Sequence, residues 1–199
     1  MAYPTVDAPY GLLPINLIGG QVFAGSTRMI PIATNSSTAI YYGDLVKLES
    51  TGTLGKDTGT NAATPVGVFL GCTYTDPVFG KTFRQYYPGT TNIADVMAYV
   101  LDDPDALFKV AVVSSGTTIS YVNRTAVGSN AVLVQNSGST TTGNSKVAVS
   151  STTGTTSTWP VRIVDVVSET TTVGNPGSYT EVIVKWNQGM HQYLNPTGV

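Results

Sequence analysis

Nowhere in this chain does an apolar period of 3.6 residues persist over the roughly ten to twelve residues that a stable helix needs. What recurs instead is the short run of β-branched, aliphatic and aromatic residues, often alternating with Ser, Thr or a charge, and closed at each end by Gly, Pro, Asn or Asp. That texture restricts the chain to many short strands joined by turns. Strand-like runs fall at 21–24, 28–33, 39–42, 45–49, 65–71, 82–87, 93–101, 107–113, 117–122, 131–135, 146–149, 161–167 and 179–186. Pro31 puts the second of these at an edge or a bulge, because proline cannot donate to a ladder. Leu45-Val46-Lys47-Leu48-Glu49 alternates as a half-buried strand should. The last two runs, joined by a turn through Gly174-Asn175-Pro176-Gly177, place Arg162, Asp165, Glu181 and Lys185 on an outward face where opposite charges can pair. One short helical turn is expected at Pro104–Leu107, capped by Asp103.

The 199 residues suit one large all-β domain. Residues 21–199 read as that domain, with a change of texture near 114–117 as a candidate sub-boundary. Residues 1–20 read as an extended apolar N-terminal arm, since Pro14 and three glycines break any helix in Tyr10–Gly20. The arm has two readings of equal weight: a strand tucked along its own core, or a reaching element that packs on a neighbouring subunit.

Only 11% of residues are charged, against about 25% in typical soluble domains. A surface covered by Ser, Thr, Gly and aliphatic groups is cheap to desolvate, and interface cores are depleted in charge. The formal net charge of −2 and the scatter of lysines and arginines along the sequence argue against nucleic acid as a partner. No apolar run is long enough to span a bilayer, so no membrane partner is expected. Residues 1–7 have neither a basic n-region nor an apolar h-region, so no signal peptide is expected and the sequons at Asn35 and Asn123 carry little weight.

Candidates for chemistry are few. The single cysteine, Cys72, makes neither an internal disulfide nor a cysteine zinc site and reads as a small apolar core residue. The single histidine, His191, is the only imidazole general base available, no Gly-x-Ser-x-Gly elbow accompanies it, and a surface or interface role is favoured. Asp102-Asp103-Pro104-Asp105 offers oxygen ligands for a cation, but its spacing is not that of a calcium loop and it reads as a capped turn. Gly52-Thr53-Leu54-Gly55-Lys56 lacks the spacing of a phosphate loop. No catalytic residue, cofactor or metal is therefore expected, and the chain is read as not an enzyme; a hydrolase using His191 or the acidic turn is the less favoured alternative. Aromatics gather at Tyr41, Tyr42, Tyr74, Phe79, Phe83, Tyr86, Tyr87 and Tyr99. Adjacent tyrosines on a strand point to opposite faces, so one of each pair is free to anchor an interface or stack on a sugar.

Four stretches, Gly11–Gly20, Ile40–Leu48, Val66–Gly71 and Ala98–Phe108, resemble small structural proteins of tailed bacteriophages, and Gly43–Leu48 followed by Val66–Gly71 is similar in style to head decoration or cement proteins. The resemblance covers roughly residues 10–113. It implies a β-rich protein on the capsid exterior, made in the host cytoplasm, that bridges major capsid protein subunits and assembles with itself as a homodimer or homotrimer. A tail or head-fibre component with carbohydrate-binding tyrosines is the alternative. The fold expected is thus all-β, an antiparallel β-sandwich or barrel, jelly-roll-like or β-tulip-like, with the extended arm. The candidate interface residues are Leu12, Leu13, Ile15, Leu17, Ile18, Tyr41, Tyr42, Tyr86 and Tyr87.

Overall fold

A computed structural model describes residues 9–90, 93–172 and 174–199. In chain order the strands are β1 (Leu13–Leu17), β2 (Arg28–Pro31), β3 (Leu45–Leu48), β4 (Leu54–Lys56), β5 (Gly67–Asp76), β6 (Gly80–Arg84), β7 (Met97–Leu101), β8 (Ala106–Ser115), β9 (Thr118–Ile119), β10 (Val122–Asn123), β11 (Asn130–Val134), β12 (Ala148–Gly154), β13 (Val161–Val166), β14 (Ser178–Tyr179) and β15 (Glu181–Trp186). Strand makes up 44% of the chain and helix 5%, the latter in 3₁₀ turns, so the all-β expectation holds.

The strands form two main sheets. In the first the order is β2-β7-β5-β3-β4, with β6 added to the outer part of β5, and every pairing is antiparallel. A single parallel bridge between Ile32 and Leu54 ties its two ends together. The period-two pattern of β5 sends Cys72 and Tyr74 inward and Thr73 and Thr75 outward. The inward side chains meet Ile30, Val46, Phe69, Tyr87 and Val100 in one buried cluster. Each large apolar side chain there contributes on the order of 2–3 kcal/mol by leaving water.

The second sheet closes on itself. Strands β8, β12, β11, β13 and β15 pair in that order and β15 returns to β8, which makes a five-stranded barrel. Closure depends on the ten-residue length of β8. Its Leu107–Ala111 portion pairs with β15, and its Val112–Val113 portion pairs with β12 in the one parallel contact of the ring. Phe108, Val110, Val112, Leu133, Val149, Ile163, Val184 and Trp186 fill the interior. The Phe108 and Trp186 rings lie 5.1 Å apart and tilted, a favourable aromatic arrangement.

Several expectations change. Residues 13–17 do not extend as an arm: they form β1 and pair antiparallel with β8, and Leu12 is fully buried. Of the two readings of this segment, the strand tucked along its own core describes residues 11–17; residues 1–8 lie outside the described residues. Residues 114–117 are the end of β8 and the turn into β9. The chain passes from one sheet to the other at 102–105 instead. There Asp103 Oδ1 accepts from Asp105 N at 2.8 Å, and the turn opens directly into β8 rather than into a helix, because Ala106 onward carries the alternation of a strand. Between the strand-like runs at 45–49 and 65–71 the chain forms one more strand, β4, paired to β3. Register also corrects the charge pairing on the final strands. Arg162 stands opposite Lys185, each cation finding its partner elsewhere: Arg162 donates to Asn130 Oδ1 at 2.9 Å and Lys185 bonds Asp105. Glu181 stays on the outer face of the barrel, opposite in sense to the core residues Val182 and Val184, yet it is buried there: Tyr10 Oη donates to it and Lys109 lies 3.8 Å away.

The two sheets meet where Gly11 crosses Gly43. Both have positive φ, +85° and +87°, and a Cβ on Gly11 would lie 2.7 Å from Ser145 Cβ and 2.8 Å from the Gly43 carbonyl oxygen. The close approach lets Leu12 N donate to Gly43 O at 3.0 Å and Gly11 N to Val147 O at 3.2 Å. Gly11→Ala forces both a left-handed alanine and a backbone clash, so it should cost about 2–4 kcal/mol of unfolding free energy; a chemical-denaturation midpoint unchanged from the wild type would contradict this account.

Candidate interaction surfaces

The reactive groups come first, because their placement decides what kind of site the molecule offers. Cys72 is fully buried on β5, and burial pushes its thiol up to about 12, away from thiolate chemistry. His191 is fully buried too, not at the surface as the sequence suggested. Its Nδ1 accepts from Tyr193 N at 3.3 Å, which leaves the proton on Nε2, an atom without a hydrogen-bond partner among the described residues. Trp186 and Tyr193 flank the ring at 6.4 and 5.4 Å. Burial lowers the pKa of His191 below the ordinary histidine value, against the opposing pull of the Val66 carbonyl and of Asp102 and Asp103. The acidic turn is occupied by its own neighbours. Asp102 accepts from Arg28 Nε at 2.8 Å and from Tyr193 Oη at 3.2 Å, Asp103 caps Asp105 N, and Asp105 holds Lys185. Among the described residues no three His, Cys, Asp or Glu side chains come together as a metal would require.

The most deeply buried acid among the described residues is Asp44, beside Gly43. Its Oδ2 accepts from Lys56 Nζ at 2.7 Å and from Tyr41 N at 2.9 Å, and its Oδ1 from Ser145 Oγ at 2.6 Å. Ser145 Oγ in turn accepts from Val147 N at 3.0 Å. The carboxylate thus joins β4 of the first sheet to the segment leading into β12 of the barrel. A nucleophilic serine and an amine share this carboxylate, but Ser145 is fully buried and its hydroxyl proton is committed to Asp44, so the cluster is a structural knot.

The nine candidate interface residues divide by burial. Leu12 and Tyr87 are interior residues, and the Tyr87 hydroxyl donates to Ser36 O at 2.7 Å. Leu13, Ile15 and Leu17 are half-buried along β1. Tyr41 stacks on Tyr86 with ring centroids 5.5 Å apart and planes within 11°. Gly138 lies so close to Tyr41 that a Cβ there would be 2.3 Å from the ring, and Lys56 Nζ sits 5.8 Å from its centroid. Tyr41 therefore has partners in its own chain and does not form an open stacking platform. Tyr42 is half-buried, and burial raises its hydroxyl pKa. Ile18 alone of the nine is exposed, at 51%.

Two apolar surfaces emerge. One is a cleft of about 380 Å³ at the foot of the barrel, lined by Ile18, Pro104, Val164 and Leu194 with Arg162 and Lys185 at its polar side. The other is the β5–β6 hairpin, whose turn and strand expose Val78 (81%), Phe79 (75%) and Phe83 (61%). Leu194 carries no pattern that marks it out in the sequence; Phe79 and Phe83 belong to the aromatic cluster, and Pro77-Val78-Phe79 between Asp76 and Gly80 is an apolar turn, which is itself unusual. The chain matches no family model, no curated protein and no solved structure.

Two outcomes follow from the buried groups. Asp44→Ala leaves Lys56 and Ser145 without their acceptor and should cost about 3–5 kcal/mol. An Asp44→Ala/Lys56→Met double variant should cost clearly less than the sum of its singles in urea melts, since it removes the stranded charge. His191 binds its proton less readily folded than unfolded. Its contribution to stability is therefore complete above about pH 6.5 and is lost as the pH falls through that value toward the lower folded pKa. The melting temperature of the wild type should fall between about pH 7 and pH 5, and His191→Gln should flatten that slope; an equal slope in the variant would assign it to other groups.

Proposed function

We propose that the protein is a virion structural protein that binds the outer surface of a bacteriophage capsid and strengthens contacts between major capsid protein subunits. The observation that carries this reading is the apolar cleft at Ile18, Pro104 and Leu194, exposed on a chain that keeps its only imidazole and only thiol in the core. A molecule so arranged works by surface contact. Ile18 and Pro104 of the cleft belong to the stretches that carry the phage resemblance, and Lys185 and Arg162 at its side offer donors to a partner's carboxylates or carbonyls. Multiple copies on a shell multiply modest individual contacts, which is how such a protein strengthens a capsid without one tight site. The protein acts with copies of itself and needs neither cofactor nor metal in this role.

The test is to mix purified protein with expanded capsids that lack it. Binding across the shell and a higher capsid melting temperature are expected. Ile18→Asp with Leu194→Asp should weaken binding by roughly a hundredfold, the cost of placing charges in an apolar contact, while leaving the circular dichroism spectrum intact. Failure to bind, or labelling confined to the tail or to fibres, would overturn the reading.

A further inference from the structure

We infer that β6 is a pairing edge for a second copy of this chain, two β6 strands running antiparallel about a two-fold axis at Thr82 and joining two first sheets into one. This supplies the surface for the self-assembly included in the reading above and does not depend on the capsid.

Three observations lead there. First, β6 is open: it pairs with β5 alone, in five regular residue pairs from Cys72–Arg84 to Asp76–Gly80 without a bulge. The two ends of the same sheet are tied by the Ile32–Leu54 bridge. Natural edges are blunted by proline, bulges, charge or a covering segment. Among the described residues β6 has no proline, no bulge and no further strand against it, and it carries two charges, of which Arg84 is engaged by Asp76 at 3.5 Å.

Second, the apolar surface runs out to that edge. The register sets Met29 against Tyr99, Tyr99 against Gly71, and Thr73 against Phe83, so these residues share the outward face. Gly71 has no side chain, and the Phe83 ring occupies the space where its Cβ would be, 2.8 Å away, so that Phe83 reaches Tyr99 at 5.8 Å. Met29, Tyr99 and Phe83 form a stripe that crosses the sheet and stops at β6 half-covered.

Third, the edge is complementary to itself. About Thr82, Lys81 stands opposite Phe83 of the second copy and Gly80 opposite Arg84, so each lysine meets an aromatic ring instead of its own equivalent. Sliding the register by one pair toward the turn would set Lys81 against Lys81, which like charge disfavours. In the Thr82 register the apolar turn continues past Gln85 and Tyr86 of the other copy, so Val78 and Phe79 come to lie against the Tyr41–Tyr86 stack. Val78, Phe79 and the half-covered tyrosines thereby cover one another.

The experiment uses the full chain. Sedimentation velocity at tens of micromolar should give a mass of two chains. Phe83→Asp, at an exposed position, should leave the circular dichroism spectrum unchanged and weaken dimerisation by roughly a hundredfold. Thr82→Cys, under mild oxidation, should give a disulfide-linked dimer, with buried Cys72 as an internal control that does not cross-link. A wild type that stays monomeric, a trimer, or a dimer that survives Phe83→Asp and does not cross-link at position 82 would overturn the inference. Capsid binding by a monomer would overturn it while leaving the capsid reading intact; a stable β6 dimer that ignores capsids would do the reverse.

Discussion

The carboxylate of Asp44 is the point on which the two halves of the molecule depend. A buried, ionised carboxylate is tolerable only if its lone pairs are filled, and each of its three donors comes from a different segment: a lysine on β4, a backbone amide at Tyr41 and a serine next to β12. Satisfying Asp44 therefore requires β4, the Tyr41 turn and the Ser145 segment to arrive together. The Gly11–Gly43 crossing sits against the same spot, since any Cβ at Gly11 would strike Ser145. One polar node thus fixes the approach of β1, the first sheet and the barrel. Apolar packing has no comparable power to specify: the two cores are each filled mostly by Val, Ile and Leu, and such side chains accept many arrangements.

The C-terminal segment adds a second fixed point by similar means. Gln192 accepts from Leu48 N at 2.8 Å and donates to Leu48 O at 3.0 Å, so its amide takes the place of a neighbouring strand where the β3–β5 ladder has ended. Tyr193 then lies under Arg28, 5.3 Å from its guanidinium, and bonds Asp102. His191 is buried by this closure. Its imidazole fills space between Trp186 of the barrel and the segment carrying Val66, which explains why a lone histidine in this chain is a packing residue with a depressed proton affinity.

The strand texture, the turn dipeptides and the two strong final strands are all visible in the sequence because they are local. Leu45–Leu48, Val161–Val166 and Glu181–Trp186 each announce themselves by alternation, and each is a strand. What the sequence does not expose is set by distance. Nothing near Asp44 in the chain signals Ser145, and Glu181 has the spacing of a surface residue and keeps its outer face, where Tyr10 and Lys109 cover it. The apolar segment at 10–20 is ambiguous for the same reason: whether it lies on its own core or a neighbour's is decided by β8, nearly a hundred residues away in sequence. β4 is hidden by its glycine-rich context, since Gly and Thr signal a loop until Leu54 finds the core. Among the surface residues, Ile18 is legible as the last apolar residue before Gly19-Gly20, whereas the exposure of Val78 and Leu194 follows only from where the hairpin and the C-terminal turn come to rest.

Low charge has a consequence for edges that ties the fold to its surfaces. Strand edges are kept soluble chiefly by charged side chains, and this chain has few to spare. It handles its edges by geometry instead. The barrel closes on itself and so has no free edge around its ring, and the ends of the first sheet are drawn together at Ile32 and Leu54. β6 falls outside both devices because it extends from β5 beyond the point where β3 stops pairing. An apolar turn and an exposed phenylalanine at such a place invite nonspecific pairing with any extended segment, a liability that a fixed, high-occupancy contact removes. On a molecule whose imidazole and thiol are enclosed, the open edge belongs to the first sheet and the barrel-foot cleft lies beside β13 and β15 of the barrel, so that one contact leaves the other free.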